Sequence, residues 1–160
     1  MKRLASLMLI AGLLFSGCSF FSSEKQQPVL FYYQRAEYQL GQSDGAIAAE
    51  ERDGTGHITD MDYLLRLYLT GPHSEELISP FPEDVQLTNI RTGKNIVTIT
   101  LSGSPNALSE TEKILACSCL TLTCRDLFDK DSVMICWGDD IITMDKSSLT
   151  LFDESAPIPE

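Results

Sequence analysis

Basic residues are scarce in this 160-residue chain: 12 lysines and arginines stand against 23 aspartates and glutamates, a net charge of −11. That balance excludes nucleic acid as an expected partner, because binding to phosphate rests on clustered cations. It also sets the folded part against an anionic membrane surface, so membrane affinity has to come from something other than a basic patch. Histidine is nearly absent, with only His57 and His73, each in a stretch that reads as turn or loop, and neither has the spacing of a metal-ligand set. A phosphate-cradling glycine loop and a His-Glu-x-x-His motif are missing. No acidic residue stands inside an apolar run, where burial would raise its pKa for acid catalysis. Long apolar runs are missing as well, since a membrane-spanning helix needs roughly 20 such residues.

The one apolar stretch at the amino end is of a different kind. Lys2 and Arg3 precede Leu4 to Phe15, about twelve mostly apolar residues, and Ser16-Gly17-Cys18 follows at once. This order reads as a signal peptide over 1–17. Phe15-Ser16-Gly17-Cys18 resembles the bacterial lipobox, with Phe15 where leucine is usual. It implies cleavage before Cys18, a diacylglyceryl group on the Cys18 thiol, and attachment by that lipid to the extracytoplasmic face of the cell membrane. The alternative is an ordinary secretory signal in which Cys18 is incidental. Residues 18–27 read as a polar tether, 28–153 as one domain and 154–160, with Pro157 and Pro159, as a loose tail. Removing 17 of the 160 residues leaves 143, with ten basic residues and a net charge of −13. That length suits a single core.

Four further cysteines remain: Cys117, Cys119, Cys124 and Cys136. In a helix Cys117 and Cys124 stand about 10 Å apart along the axis at ~1.5 Å per residue, too far for a disulfide. Either one bridge to Cys136 forms or all four are small apolar residues of a core. Zinc is disfavoured, because Cys-x-Cys-x4-Cys on one helix cannot close a tetrahedron. Asp129-Lys130-Asp131 begins like a calcium loop but has Met134 at the sixth place and Asp140 at the twelfth. A Cys-His pair through His73 would need an exposed thiolate. The acid pairs Glu50-Glu51 and Asp139-Asp140 read as solvated turns. No cofactor, metal or catalytic residue is therefore expected.

Local patterns give the elements. Val29 to Tyr33 reads as a strand and Ala46 to Glu51 as its partner, before Asp53-Gly54-Thr55-Gly56 breaks the chain. Thr59 or Asp60 caps a helix that carries Met61, Leu64, Leu65 and Tyr68 on one face and stops at Gly71-Pro72. The loop from Gly71 to Asp84 holds Pro72, Pro80 and Pro82, and is long enough to be partly ordered or functional. Val85 to Ile90 and Ile96 to Leu101 form a hairpin around Arg91 to Asn95, with Val97, Ile99 and Leu101 on its core face. Ser109-Glu110-Thr111-Glu112 spells a capping box for a second helix that buries Cys117, Leu120, Cys124 and Leu127 and ends near Asp129. Val133 to Trp137 closes as a strand, and Ile141 to Thr143 with Leu149 to Phe152 extends the sheet. The order predicts an α+β fold, a mostly antiparallel sheet with two main helices on one face.

The run from Tyr63 to Trp137 resembles the GerMN domain of sporulation and spore germination lipoproteins from Gram-positive bacteria, with the motif-bearing part over 60–138. The likeness lies in Leu64-Leu65-Arg66-Leu67-Tyr68-Leu69-Thr70-Gly71-Pro72, then Leu77, Ser79, Phe81-Pro82 and Val85-Gln86-Leu87, the arm Val97 to Ser102, and Val133-Met134-Ile135 before Trp137-Gly138. Glu83-Asp84 stands where that family often has glycine and a small residue, and the three helix cysteines are not a family feature. The resemblance implies a non-catalytic module that contacts another envelope protein or the cell wall, in sporulation, germination or envelope assembly. The alternative function is a cell-surface enzyme or small-ligand protein, such as a wall hydrolase with two carboxylates. For a binding module, Leu77, Ile78 and Phe81 in the proline loop are the expected anchors, unless they fold back to seal the core.

Overall fold

The computed structural model describes residues 26–38, 45–145 and 148. Cys18, the signal segment, Leu149 to Phe152 and the 154–160 tail lie outside the described residues. The elements in order are β1 (Pro28–Arg35), β2 (Ile47–Asp53), α1 (Met61–Leu69), β3 (Leu77–Ile78), β4 (Leu87–Thr92), β5 (Ile96–Leu101), α2 (Glu110–Phe128), β6 (Ser132–Trp137) and β7 (Asp140–Asp145). A single 3-10 turn, Pro105–Ala107, precedes α2. This is the α+β fold expected, and none of its described helices is long and apolar enough to cross a membrane.

The strands form two sheets where one was expected: β2-β1-β3 and β4-β5-β6-β7. Every pair is antiparallel except β5 with β6, which run parallel. The reason is α2. Its 19 residues span about 28 Å at ~1.5 Å each, enough to return the chain to the level where β5 began. The first hairpin arm starts at Leu87 instead of Val85, and a bulge between Leu87 and Asn89 shifts its register against β5.

Both helices begin as their sequences dictate. Asp60 accepts the Tyr63 N–H at 3.0 Å, while Ser109 and Glu112 exchange bonds at 3.4 and 2.8 Å in a full capping box. α1 stops where Gly71 takes φ +89°, a conformation that costs a side-chain-bearing residue more than glycine.

One core joins the two sheets. Val29, Phe31 and Tyr33 of β1 meet Leu64, Leu65 and Tyr68 of α1, Val97, Ile99 and Leu101 of β5, Val133, Ile135 and Trp137 of β6, and Ala116, Cys117, Leu120 and Cys124 of α2. Each fully buried Val, Leu, Ile or Phe among them stabilises the fold by roughly 1.5–3 kcal/mol relative to exposure. α2 packs on β1 of one sheet and on β6 and β7 of the other. It is therefore buried over an arc of about 200° at ~100° per residue, which takes in Cys119, Thr121 and Thr123 beyond the stripe read from the sequence. Leu127 is only half-buried, and Phe128 takes the core place beside it.

Candidate functional site

The proline loop is held from below by a buried ion pair. The Glu50 carboxylate accepts the backbone N–H groups of His73 at 2.9 Å and Ser74 at 2.8 Å, and takes Arg52 at 2.7 Å. Arg52 in turn reaches the Gly71 carbonyl at 3.4 Å and lies over the Phe31 ring. Strand alternation explains this, since Glu50 and Arg52 both face inward from β2. The reading of Glu50-Glu51 as a solvated turn is corrected accordingly: both lie on a strand, and although Glu51 is exposed the Glu50 side chain is only 11% exposed. The second acid pair divides similarly. Asp139 is exposed, but Asp140 opens β7 and accepts Lys113 at 3.2 Å. Lys113 also pairs with Glu110, and the two carboxylates raise its pKa.

Of the three anchor residues, only Ile78 faces solvent, at 43% exposure. Phe81 is 6% exposed and wedged between Tyr68 and Trp137, with ring centroids 6.3 and 5.4 Å away, and Leu77 is buried too. The recognition role for Phe81 and Leu77 gives way to a packing role. Apolar side chains in a loop pinned this closely to the sheet seal the core end.

The reactive side chains are occupied structurally. All four described cysteines are free thiols. Cys136 is on the outer face of β6, opposite to Val133, Ile135 and Trp137, so alternation turns it away from the helix thiols. Burial pushes Cys117 and Cys119 up to about 12 and Cys124 higher still, which keeps them protonated and unreactive near neutral pH. His57 stacks on Tyr63 at 3.7 Å, while His73 is exposed. Asp129 is the left-handed cap of α2, φ 47°, instead of the start of a calcium loop. No group of three metal-ligating side chains lies together among the described residues.

The sequence expectation of no Gly-x-Ser-x-Gly is corrected by residues 41–45. Gly41-Gln42-Ser43-Asp44-Gly45 spells the Gly-x-Ser-x-Gly of a hydrolase nucleophile elbow. An elbow joins a strand to a helix. Here the pentapeptide falls between the antiparallel strands β1 and β2, in a hairpin connection of which 39–44 lie outside the described residues.

Two of the grooves on the described surface lie beside the helices. The smaller, about 290 Å³, lies between the end of α1 and the approach to β4, lined by Arg66, Leu69, Glu83 and Gln86. The larger, about 560 Å³, lies between the start of β1 and the last turn of α2, lined by Pro28, Leu30, Ile58, Arg125, Asp126 and Asp129. Asp126 there accepts the Tyr32 hydroxyl at 2.7 Å, so one of its oxygens is committed. Burial and that bond raise the Tyr32 phenol to about 12.

No curated protein matches the chain. Among solved structures it is similar to the tandem GerMN domains of the sporulation protein GerM from Bacillus subtilis, at 18% identity and a TM-score of 0.48 over 78% of this chain. The chain spans 43% of that one. It is also similar to a Clostridium perfringens protein assigned as a lipoprotein, at 16% identity and a TM-score of 0.41, covering 76% of this chain and 89% of that one. The model of the Germane family, described as sporulation and spore germination, matches residues 32–136. With more than half of its length in that match, the chain belongs to the Germane family of sporulation and spore germination modules.

Proposed function

We propose that this protein is a non-catalytic interaction module of the cell envelope, held on the extracytoplasmic face of the membrane by a lipid on Cys18, that docks another envelope protein or the cell wall during sporulation or germination. Membership of the Germane family across 32–136 carries the reading. Two further observations support it. The groups that burial would turn to chemistry in an enzyme are spent on packing here: three thiols pushed up by burial, and the pairs Glu50–Arg52 and Lys113–Asp140 that fasten loop to strand and helix to strand. The carboxylates with shifted pKa values, Asp53, Asp62 and Glu112, are pulled down by their hydrogen bonds, the opposite of what a proton-donating acid needs. The lipobox-like Phe15-Ser16-Gly17-Cys18 and the polar tether supply the anchor.

The test is a sedimentation assay with purified peptidoglycan and with membranes of the producing cells, run beside a measurement of released wall fragments. Saturable binding without released fragments is the expected result. Release of fragments by the purified protein would replace this reading with that of a hydrolase.

A further inference from the structure

We propose that the groove between β1 and the last turn of α2 receives an extended, lysine- or arginine-bearing segment of another envelope protein, which adds a short strand to β1 at Leu30. This inference rests on the interaction-module reading and states its partner's chemistry.

β1 has two edges, and they are treated differently along its length. Toward β2 it uses its odd-numbered residues: the Gln27 carbonyl accepts Gly54 N–H and the Arg35 N–H donates to Ala46, both at 2.9 Å, in register with Val29 opposite Arg52 and Phe31 opposite Glu50. Alternation turns the peptide groups of Pro28, Leu30, Tyr32 and Gln34 to the other edge. There Gln34 lies beside Ile78 of β3, and Ala36 N–H donates to the Glu76 carbonyl at 2.9 Å. Tyr32 is closed by side chains, its N–H bonded to Thr123 Oγ1 at 2.9 Å and its carbonyl taking the Tyr68 hydroxyl at 3.1 Å. Leu30 is left open. No described residue bonds to its N–H or its carbonyl, and Pro28 before it has a carbonyl and no N–H. The edge therefore offers one donor and two acceptors, too few for a long ladder and enough to fix the register of a short strand.

The walls select what that strand carries. Leu30 and Ile58 are 38% and 40% exposed on the rim and provide apolar contact for one side chain. The floor is the carboxyl end of α2, whose last carbonyls carry partial negative charge; its charged side chains are the carboxylates of Asp126 and Asp129 against one cation, Arg125, which leaves the floor net negative. With a net charge of −11 over the whole chain, the field favours a cationic segment and disfavours an acidic one. It equally disfavours an anionic bilayer as the occupant.

The experiment uses the mature acylated protein in detergent and, as probe, a fluorescent peptide of alternating lysine and valine, with a glutamate-valine peptide as control; anisotropy gives Kd. The lysine peptide should bind, and the glutamate peptide at least about tenfold more weakly. Leu30→Pro removes only the N–H that the β2 ladder does not use, at the kind of open edge where strands accept proline. It should weaken binding about tenfold more than Leu30→Ala, which keeps that N–H. Ile58→Ser, in an exposed turn, is the second variant and should weaken binding several-fold even if the proline variant melts early. Equal binding by Leu30→Pro and Leu30→Ala, or no effect of Ile58→Ser, overturns the proposal. Protection of Leu30 from amide exchange before any peptide is added does so too, because it means the protein's own chain fills the edge. If anionic vesicles protect the segment around Ile58 as strongly in Leu30→Pro as in the wild type, the occupant is a bilayer. If no peptide binds while saturable envelope binding persists, the groove is refuted and the module reading stands.

Discussion

The hydroxyl of Tyr33 donates to the backbone carbonyl of Tyr68 at 2.9 Å, and the two rings stack with centroids 4.9 Å apart. Gly71 N–H shares that carbonyl at 3.1 Å, so the end of α1, the glycine that stops it and the middle of β1 meet at one oxygen. Tyr68 returns the contact through its own hydroxyl, on the Tyr32 carbonyl. Burial raises the pKa of both phenols, and both stay neutral donors through the physiological range.

Removing these hydroxyls should have unequal effects. Tyr33→Phe leaves the Tyr68 carbonyl still bonded to Gly71 and should cost about 0.5–1.5 kcal/mol. Tyr68→Phe strips the Tyr32 carbonyl of its only bond among the described residues and should cost about 1–3 kcal/mol. Urea unfolding measures both, and equal losses would mean that the Tyr32 carbonyl finds another partner.

Phe81→Ala should destabilise the domain by about 3–5 kcal/mol, because the ring fills the space between Tyr68 and Trp137. Ile78→Ser should stay within about 0.5 kcal/mol of the wild type, since that side chain is exposed. A small loss for Phe81→Ala would return that residue to the surface.

Glu50→Ala should cost about 3–5 kcal/mol, since it strands Arg52, which is 7% exposed, and frees the amides of His73 and Ser74. Amide exchange over 72–76 should quicken in the same variant. Unchanged exchange would show that the prolines alone hold the loop.

What could be read in advance was what is local in sequence. The capping box at Ser109 and Glu112, the Gly71-Pro72 stop, the hairpin around Gly93 and the inward face Val97, Ile99 and Leu101 each depend on residues within a few positions of one another. The partition into two sheets and the parallel pairing of β5 with β6 depend on which distant strands meet, and no neighbouring residue reports that. Nothing near Glu50 in the sequence signals its burial, because its partner amides come from a loop 23 positions away. The larger groove escaped for the same reason: it joins β1 to a helix end that lies far along the chain, and the open edge at Leu30 follows only from knowing what covers Tyr32.

The capping box also sets a pH dependence. Bonds from the Ser109 side chain and backbone hold the Glu112 pKa below its usual value. A depressed carboxylate stabilises the fold above its unfolded pKa, about 4.3, and loses that contribution as pH falls through the lower folded value. Melting temperature should therefore fall on acidification below about pH 4.5, and Glu112→Gln should flatten part of that slope. A variant with an unchanged acid slope would remove Glu112 from the account.

The anchor on Cys18 is the claim on which location and partner both depend, and it is open to direct measurement. Cells given a labelled fatty acid and expressing the full chain should yield a labelled, membrane-pelleting protein, since each buried CH₂ of an acyl chain adds roughly 0.8 kcal/mol of membrane affinity. Cys18→Ala should yield unlabelled protein, either uncleaved or shed into the medium. Label that persists on Cys18→Ala, or a wild-type protein that carries none, would contradict the reading of this chain as a lipid-anchored module of the cell envelope.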